Sequence, residues 1–141
     1  VIAIQADSAN PEAITEAGIA PDRVLVLGDL DDGDLATAYR AARVFVHPGR
    51  GEGFGLPVLE AFSLGTPVVI SDDPALVEVA LDGARVASTE GDVAESLRAA
   101  IADVLEDSEL AERLVVEGAD RAGAFSWRDS AEKTWQLHAD L

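Results

Sequence analysis

Cysteine and methionine are absent from this 141-residue sequence, lysine occurs once, at Lys133, and aromatic residues make up only 5%. Without cysteine there is no disulfide framework, no thiolate metal site and no thiol nucleophile, which fits a cytoplasmic protein. Basic side chains are scarce: 10 against 27 acidic ones, a net charge of −17 spread over the whole chain. Such a surface repels phosphate backbones and anionic lipid, so nucleic acid is excluded as a partner. Membrane association would have to come through segments outside this sequence. No apolar run approaches the roughly 18 residues of a membrane-spanning helix, and no signal-peptide pattern or low-complexity linker occurs.

What is present is a chain 48% hydrophobic, enough for one globular domain with a core. Short apolar runs alternate with helical patterns. Val1-Ile2-Ala3-Ile4 reads as a strand from the first residue, an abrupt start that leads us to expect a piece of a longer protein. Asn10-Pro11 is a helix start and Gly18 its stop. Val24-Leu25-Val26-Leu27 lacks polar alternation, as a strand covered on both faces would. Asp31 or Asp32 is expected to cap a helix over residues 34–42, followed by a strand Val44-Phe45-Val46 that ends at His47-Pro48.

Val68-Val69-Ile70 reads as another buried strand, Asp72 or Asp73 as the cap of a helix over 75–81, and Ala84-Arg85-Val86-Ala87 as the last strand. Asp92 with Glu95 forms a capping-box pattern ahead of the apolar face Val93, Leu97, Ala100, Ile101, Val104 and Leu105. A helix from Ser108 carries the stripe Leu110, Leu114 and Val115, and Ser126 with Asp129 opens a final one in which Trp127 and Trp135 are expected to pack. Strands alternating with helices imply right-handed parallel βαβ units with helices on both sheet faces, an α/β Rossmann-like sheet.

The chemistry concentrates in Gly49-Arg50-Gly51-Glu52-Gly53-Phe54-Gly55-Leu56-Pro57-Val58-Leu59-Glu60. Closely spaced glycines let a backbone approach a ligand, and Pro57 fits the first position of a helix that runs to Gly65. Strand, glycine-rich turn and helix N-terminus together point N–H groups and a positive dipole end at an anion, a diphosphate above all. Glu52 and Glu60 do not suit an anion site. As acceptors they suit hydroxyl pairs of a sugar or a ribose. Arg50 is the loop's only cation and a candidate for a phosphate contact. His47 at the strand end is a secondary candidate.

The segment Glu52-Gly-Phe-Gly-Leu-Pro-Val-Leu-Glu60-Ala, with Gly65-Thr-Pro-Val-Val69 after it, resembles the signature of retaining glycosyltransferases of the GT-B fold, family 4. Arg23 to Gly28, Ala38 to Pro48, Asp92 to Leu105 and Phe125-Ser126-Trp127 are similar to the flanking parts of that family, so the resemblance covers nearly the whole chain. Gly49 departs from it, since the family often has serine there.

The resemblance implies the C-terminal, donor-binding half of a GT-B enzyme that moves a hexose from a nucleoside diphosphate sugar to a hydroxyl acceptor. No metal and no cofactor besides the donor is expected. Gly53, Phe54, Gly55, Leu56, Pro57 and Val58 would hold the donor's sugar and diphosphate. Glu60 would hold the ribose. Glu52 would meet the transferred sugar, with an electrostatic role at the reacting carbon. Leu30 and Asp32 are carried over for the base, and Glu78, where the family commonly keeps a glutamate, is read as structural. The Val1 strand would match the second strand of such a domain. The first strand, the Arg and Lys that grip the diphosphate, and the N-terminal acceptor-binding domain would then lie outside these 141 residues. A GT-B nucleotide-sugar epimerase and a non-catalytic nucleotide-binding module are the alternatives.

Overall fold

The structure, a computed structural model, describes residues 2–5 and 10–139. The chain divides between Thr37 and Ala38 into two compact units. The first unit holds β1 (Ile2–Gln5), α1 (Pro11–Glu16) and β2 (Val24–Leu27), with β1 and β2 paired in parallel so that Ile2 faces Val24 and Gln5 faces Leu27. The Asn10 carboxamide accepts from the N–H groups of Glu12 and Ala13 at 3.0 and 3.2 Å, and Gly18 takes φ +66° beyond the helix. The sequence rule for this helix therefore holds at both ends. It fails for β2: Leu25 and Val26 are 54% and 50% exposed. A two-stranded ladder with one short helix is too small to cover both faces of a strand.

Helix α2 (Asp32–Ala41) crosses the division. It starts two residues earlier than the sequence implies, because Asp31, not Asp32, is its cap: Asp31 Oδ1 accepts from Asp34 N–H at 2.8 Å.

The second unit is a parallel sheet in the order β3-β4-β5, formed by β3 (Phe45–His47), β4 (Val68–Ser71) and β5 (Ala84–Ala87). Every residue of β4 is buried, and successive strand side chains point to opposite faces, so the central strand is covered on both sides. Val69 and Ala87 pack with Ala100 and Val104 of α5 (Val93–Glu106) and Leu114 of α6 (Ser108–Gly123). Of the α5 and α6 faces chosen by their helical spacing, Leu97, Ala100, Ile101, Val104, Leu110 and Leu114 belong to this core. Asp92 and Asp107 cap the two helices through Glu95 N–H and Leu110 N–H, both at 3.0 Å. The capping box closes on one side only, since the Glu95 carboxylate turns to Arg98 instead of back to residue 92.

Helix α6 reaches α3 (Leu56–Ser63) through Gly118. A Cβ there would stand 2.6 Å from the Phe62 ring, so only glycine allows this approach. Helix α4 (Pro74–Ala80) follows β4 and ends in a 3-10 turn at Leu81–Gly83. The expected packing of the tryptophans is not found. α7 (Trp127–Ala139) buries none of its residues among those described, and Trp127 and Trp135 are 82% and 73% exposed.

Among the described residues no ladder joins β1 to β3, and the strands form two separate sheets. Val1 itself lies outside the described residues.

Candidate functional site

The loop from Pro48 to Gly55 leaves the C-terminal end of β3 and feeds α3. Its first half is fixed by side chains from the end of β4. Ser71 Oγ donates to the Gly49 carbonyl at 2.5 Å. Asp73 Oδ2 accepts from Gly51 N–H at 2.6 Å and from Glu52 N–H at 3.4 Å, while its Oδ1 accepts from Ala75 N–H at 3.0 Å and so caps α4. Arg50 does not extend freely: its Nη2 donates to the Thr89 carbonyl at 3.3 Å. Thr89 is in turn held by the Asp72 carboxylate, whose bonds to Thr89 keep it below its usual pKa.

The second half of the loop is open. Among the described residues no protein acceptor takes the N–H groups of Gly53, Phe54, Gly55 and Leu56. Gly55, at φ +94°, serves as N-cap, so α3 begins at Leu56, one residue before Pro57. Pro57 then occupies N2, where its missing N–H is also harmless. Val58 is fully buried and its N–H donates to the Gly55 carbonyl at 3.0 Å, so its side chain belongs to the core. Phe54 rests edge-on against Phe125, with ring centroids 5.6 Å apart. Arg121 lies 4.6 Å over Phe125 and donates to the carbonyls of Val79 and Glu78. The tail of α6 thereby supports the loop, and Glu78 takes part in this through its backbone.

In the chain the two glutamates come before and after these free N–H groups. Glu52 is partly exposed, and its Oε1 lies 3.2 Å from His47 Nε2. That distance suits an ion pair, but the atoms are out of line for a hydrogen bond, and the buried Nε2 has no aligned partner. A Cβ at Gly49 would fall on the Glu52 carboxylate, so glycine where the resembling family often has serine gives this side chain its place. Glu60 is exposed on α3, and one of its oxygens accepts from the Tyr39 hydroxyl at 3.2 Å. Burial above all, and then the neighbouring Glu60 charge, push the Tyr39 phenol well above its ordinary pKa, so it remains a donor. Leu30 is half-buried and Asp32 exposed, both in the first unit, and neither unit by itself fixes their place relative to the loop.

Tyr39 and the loop-holding role of Asp73 escaped the sequence reading. Asp73 was legible only as a helix cap, because its contact with the loop spans 22 residues. Burial opposes its ionisation, yet the N–H donors of Gly51, Ala75, Glu52 and Leu76 outweigh it and hold the carboxyl below its ordinary value. A lowered folded pKa means that the clamp is present above the unfolded value, about 4, and is lost as pH falls through the lower folded one. Amide exchange at Gly51 and Glu52, corrected for intrinsic rates, should show constant protection from pH 7 to about 5 and a loss below about 4. Asp73→Ala should remove that protection at neutral pH. Equal protection in the variant and the parent would show that Asp73 does not hold the loop.

Three kinds of likeness bear on this site. The family model for glycosyl transferases group 1 matches residues 4–121. The O-antigen chain mannosyltransferase B of Escherichia coli is 40% identical over 121 residues, which cover 86% of this chain and 31% of the relative. The phosphatidyl-myo-inositol mannosyltransferase of Mycolicibacterium smegmatis is 34% identical over 113 residues, 79% of this chain and 29% of that one. The sucrose-phosphate synthase structure from Thermosynechococcus elongatus superposes with a TM-score of 0.81 at 33% identity, over 92% of this chain and 33% of the other. Anabaena HepE in complex with UDP-glucose superposes at 0.80 with 22% identity, a likeness of fold. The chain thus spans about a third of the length of the relatives it matches.

Proposed function

The chain belongs to the group 1 glycosyltransferases, and from that premise we propose that it is the donor-binding part of a retaining, metal-independent hexosyltransferase of family 4. The observation that carries this is the open half of the glycine loop. The unengaged N–H groups from Gly53 to Leu56 lead into the N-terminus of α3, with Glu52 just before them in the chain and Glu60 one turn into the helix. Such donors and the helix dipole suit a leaving diphosphate, and their fixed placement stabilises the charge that develops on it. The anomeric C–O bond breaks with its electron pair passing to the diphosphate. The acceptor oxygen bonds to the same face of that carbon, and the acceptor's proton leaves with the phosphate. Glu52 faces the positive charge that grows on the sugar ring, and Glu60 accepts from the ribose hydroxyls.

Arg50 reaches the phosphates only by leaving the Thr89 carbonyl, and Leu30 and Asp32 remain assigned to the base. The rest of the protein supplies the acceptor-binding domain, in keeping with relatives about three times as long. A cytoplasmic site of action goes with this reading, supported by the cysteine-free sequence. Among the described residues no helix is long and apolar enough to cross a membrane.

The test is Glu60→Ala in the full-length protein, titrated calorimetrically with ADP, GDP and UDP. Affinity for whichever binds should fall about 10- to 100-fold, or about 1.5–3 kcal/mol, the range for losing hydrogen bonds to a charged group. Unchanged affinity would remove Glu60 from the ribose.

A further inference from the structure

Tyr39 is the only tyrosine of the chain, and it is held from several sides. It sits in the last turn of α2 with 8% of its surface exposed. Its ring meets Phe45 edge-on at 5.1 Å, and its backbone carbonyl accepts from the buried Thr66 Oγ1 at 2.7 Å. Thr66 follows the C-terminal turn of α3, so the bond ties the end of α2 to the helix that carries Glu60. The hydroxyl at the end of this fixed ring donates to Glu60 Oε2. No other protein group bonds the Glu60 side chain among the described residues, which leaves Oε1 without a protein donor.

An exposed glutamate gains nothing from being fixed unless its orientation matters. Its side chain loses on the order of 1.5–2 kcal/mol of rotamer freedom when immobilised, and a ligand that must do the ordering binds more weakly by that amount. Tyr39 meets part of that cost beforehand, because its own ring is already ordered by Phe45. The resulting carboxylate has one oxygen occupied and one open, and an open carboxylate oxygen with two lone pairs can accept from adjacent hydroxyls.

We propose that Tyr39 is a positioning residue, which presets the Glu60 carboxylate so that it meets the ribose 2′- and 3′-hydroxyls of the donor nucleotide already oriented. The inference rests on the assignment of Glu60 to the ribose. Tyr39 acts through Glu60 and touches no substrate. A merely structural role would make Glu60 the acceptor that satisfies a buried phenol, with no bearing on the ligand.

The two roles separate in a cycle on the full-length protein. Tyr39→Phe, Glu60→Ala and the double variant are titrated with the tightest binder among ADP, GDP and UDP and with its 2′-deoxy counterpart. Phenylalanine keeps the ring on Phe45 and removes only the hydroxyl. Tyr39→Phe is expected to weaken the ribonucleotide about 3- to 10-fold, part of the side-chain ordering that the ligand would then have to supply. It should cost the 2′-deoxy form, which keeps only the 3′-hydroxyl for Glu60, clearly less, and add nothing in the Glu60→Ala background. Equal loss with both nucleotides, or a Tyr39→Phe protein that does not fold, would make the hydroxyl a packing element and overturn the proposal. Full affinity in Tyr39→Phe beside a loss in Glu60→Ala would overturn it and leave the ribose assignment standing. A Glu60→Ala effect that ignores the 2′-hydroxyl, or no binding of any of the three nucleotides, would overturn the assignment and the proposal with it.

Discussion

Glu52→Gln in the full-length enzyme should lower kcat about 10²- to 10³-fold, the scale for removing one preorganised electrostatic contact with the transition state, and leave nucleoside diphosphate affinity within about 2-fold. The substitution keeps the shape of the side chain and removes its charge. The side chain lies in the fixed half of the loop: its N–H is drawn toward Asp73, its carboxylate stands beside His47, and the bare Gly49 backbone leaves room for it. A charge held in place this way costs no reorganisation when the sugar's anomeric carbon turns electron-poor, and the partial burial of Glu52 strengthens its field relative to water. The diphosphate is assigned to the other half of the loop, so binding of the free nucleotide should not sense the change. Parallel loss of nucleotide affinity and turnover would place Glu52 at the nucleotide and sink its assignment to the sugar.

What could be read from the sequence followed the range of the interactions that decide it. Caps are local: Asn10 and Asp92 bond N–H groups two or three residues onward, and both act as side-chain type and position imply. Helix faces were legible for the same reason, since Ala100, Val104 and Leu114 are fixed by a period of 3.6. The start of α3 moved by one residue because a glycine in the left-handed region can cap without a side chain. Cover of β2 and packing of Trp127 and Trp135 depend on what lies opposite, which composition and spacing do not carry. At the site, the glutamates and the glycines stood out by their pattern. The contacts that fix them run from Ser71, Asp73 and Tyr39, 21 or 22 residues away in sequence. Those depend on how β4 and α2 are brought beside the loop.

The four glycines of the loop look alike in sequence, but the structure separates them, and the separation has a large expected consequence. Gly55 combines φ +94° with a tight neighbour: a Cβ there would lie 2.7 Å from Leu76 Cδ2. Leu76 is fully buried, so its methyl group cannot swing into solvent. Gly53 has neither feature, with no positive φ and nothing within 4 Å of the added carbon. Gly55→Ala should therefore cost about 1–3 kcal/mol of backbone strain and a further 1–3 kcal/mol of overpacking, while Gly53→Ala should be nearly neutral for stability. Because Gly55 is also the N-cap, relief of the strain would unwind the first turn of α3 and displace the Gly53 to Leu56 N–H groups. Urea unfolding of the two variants in the same background gives the difference in midpoint, and titration with the nucleoside diphosphate gives the effect on the site. A Gly55→Ala protein as stable as Gly53→Ala would mean that Leu76 and the loop yield without cost. The rigidity on which the anion-site reading depends would then be absent.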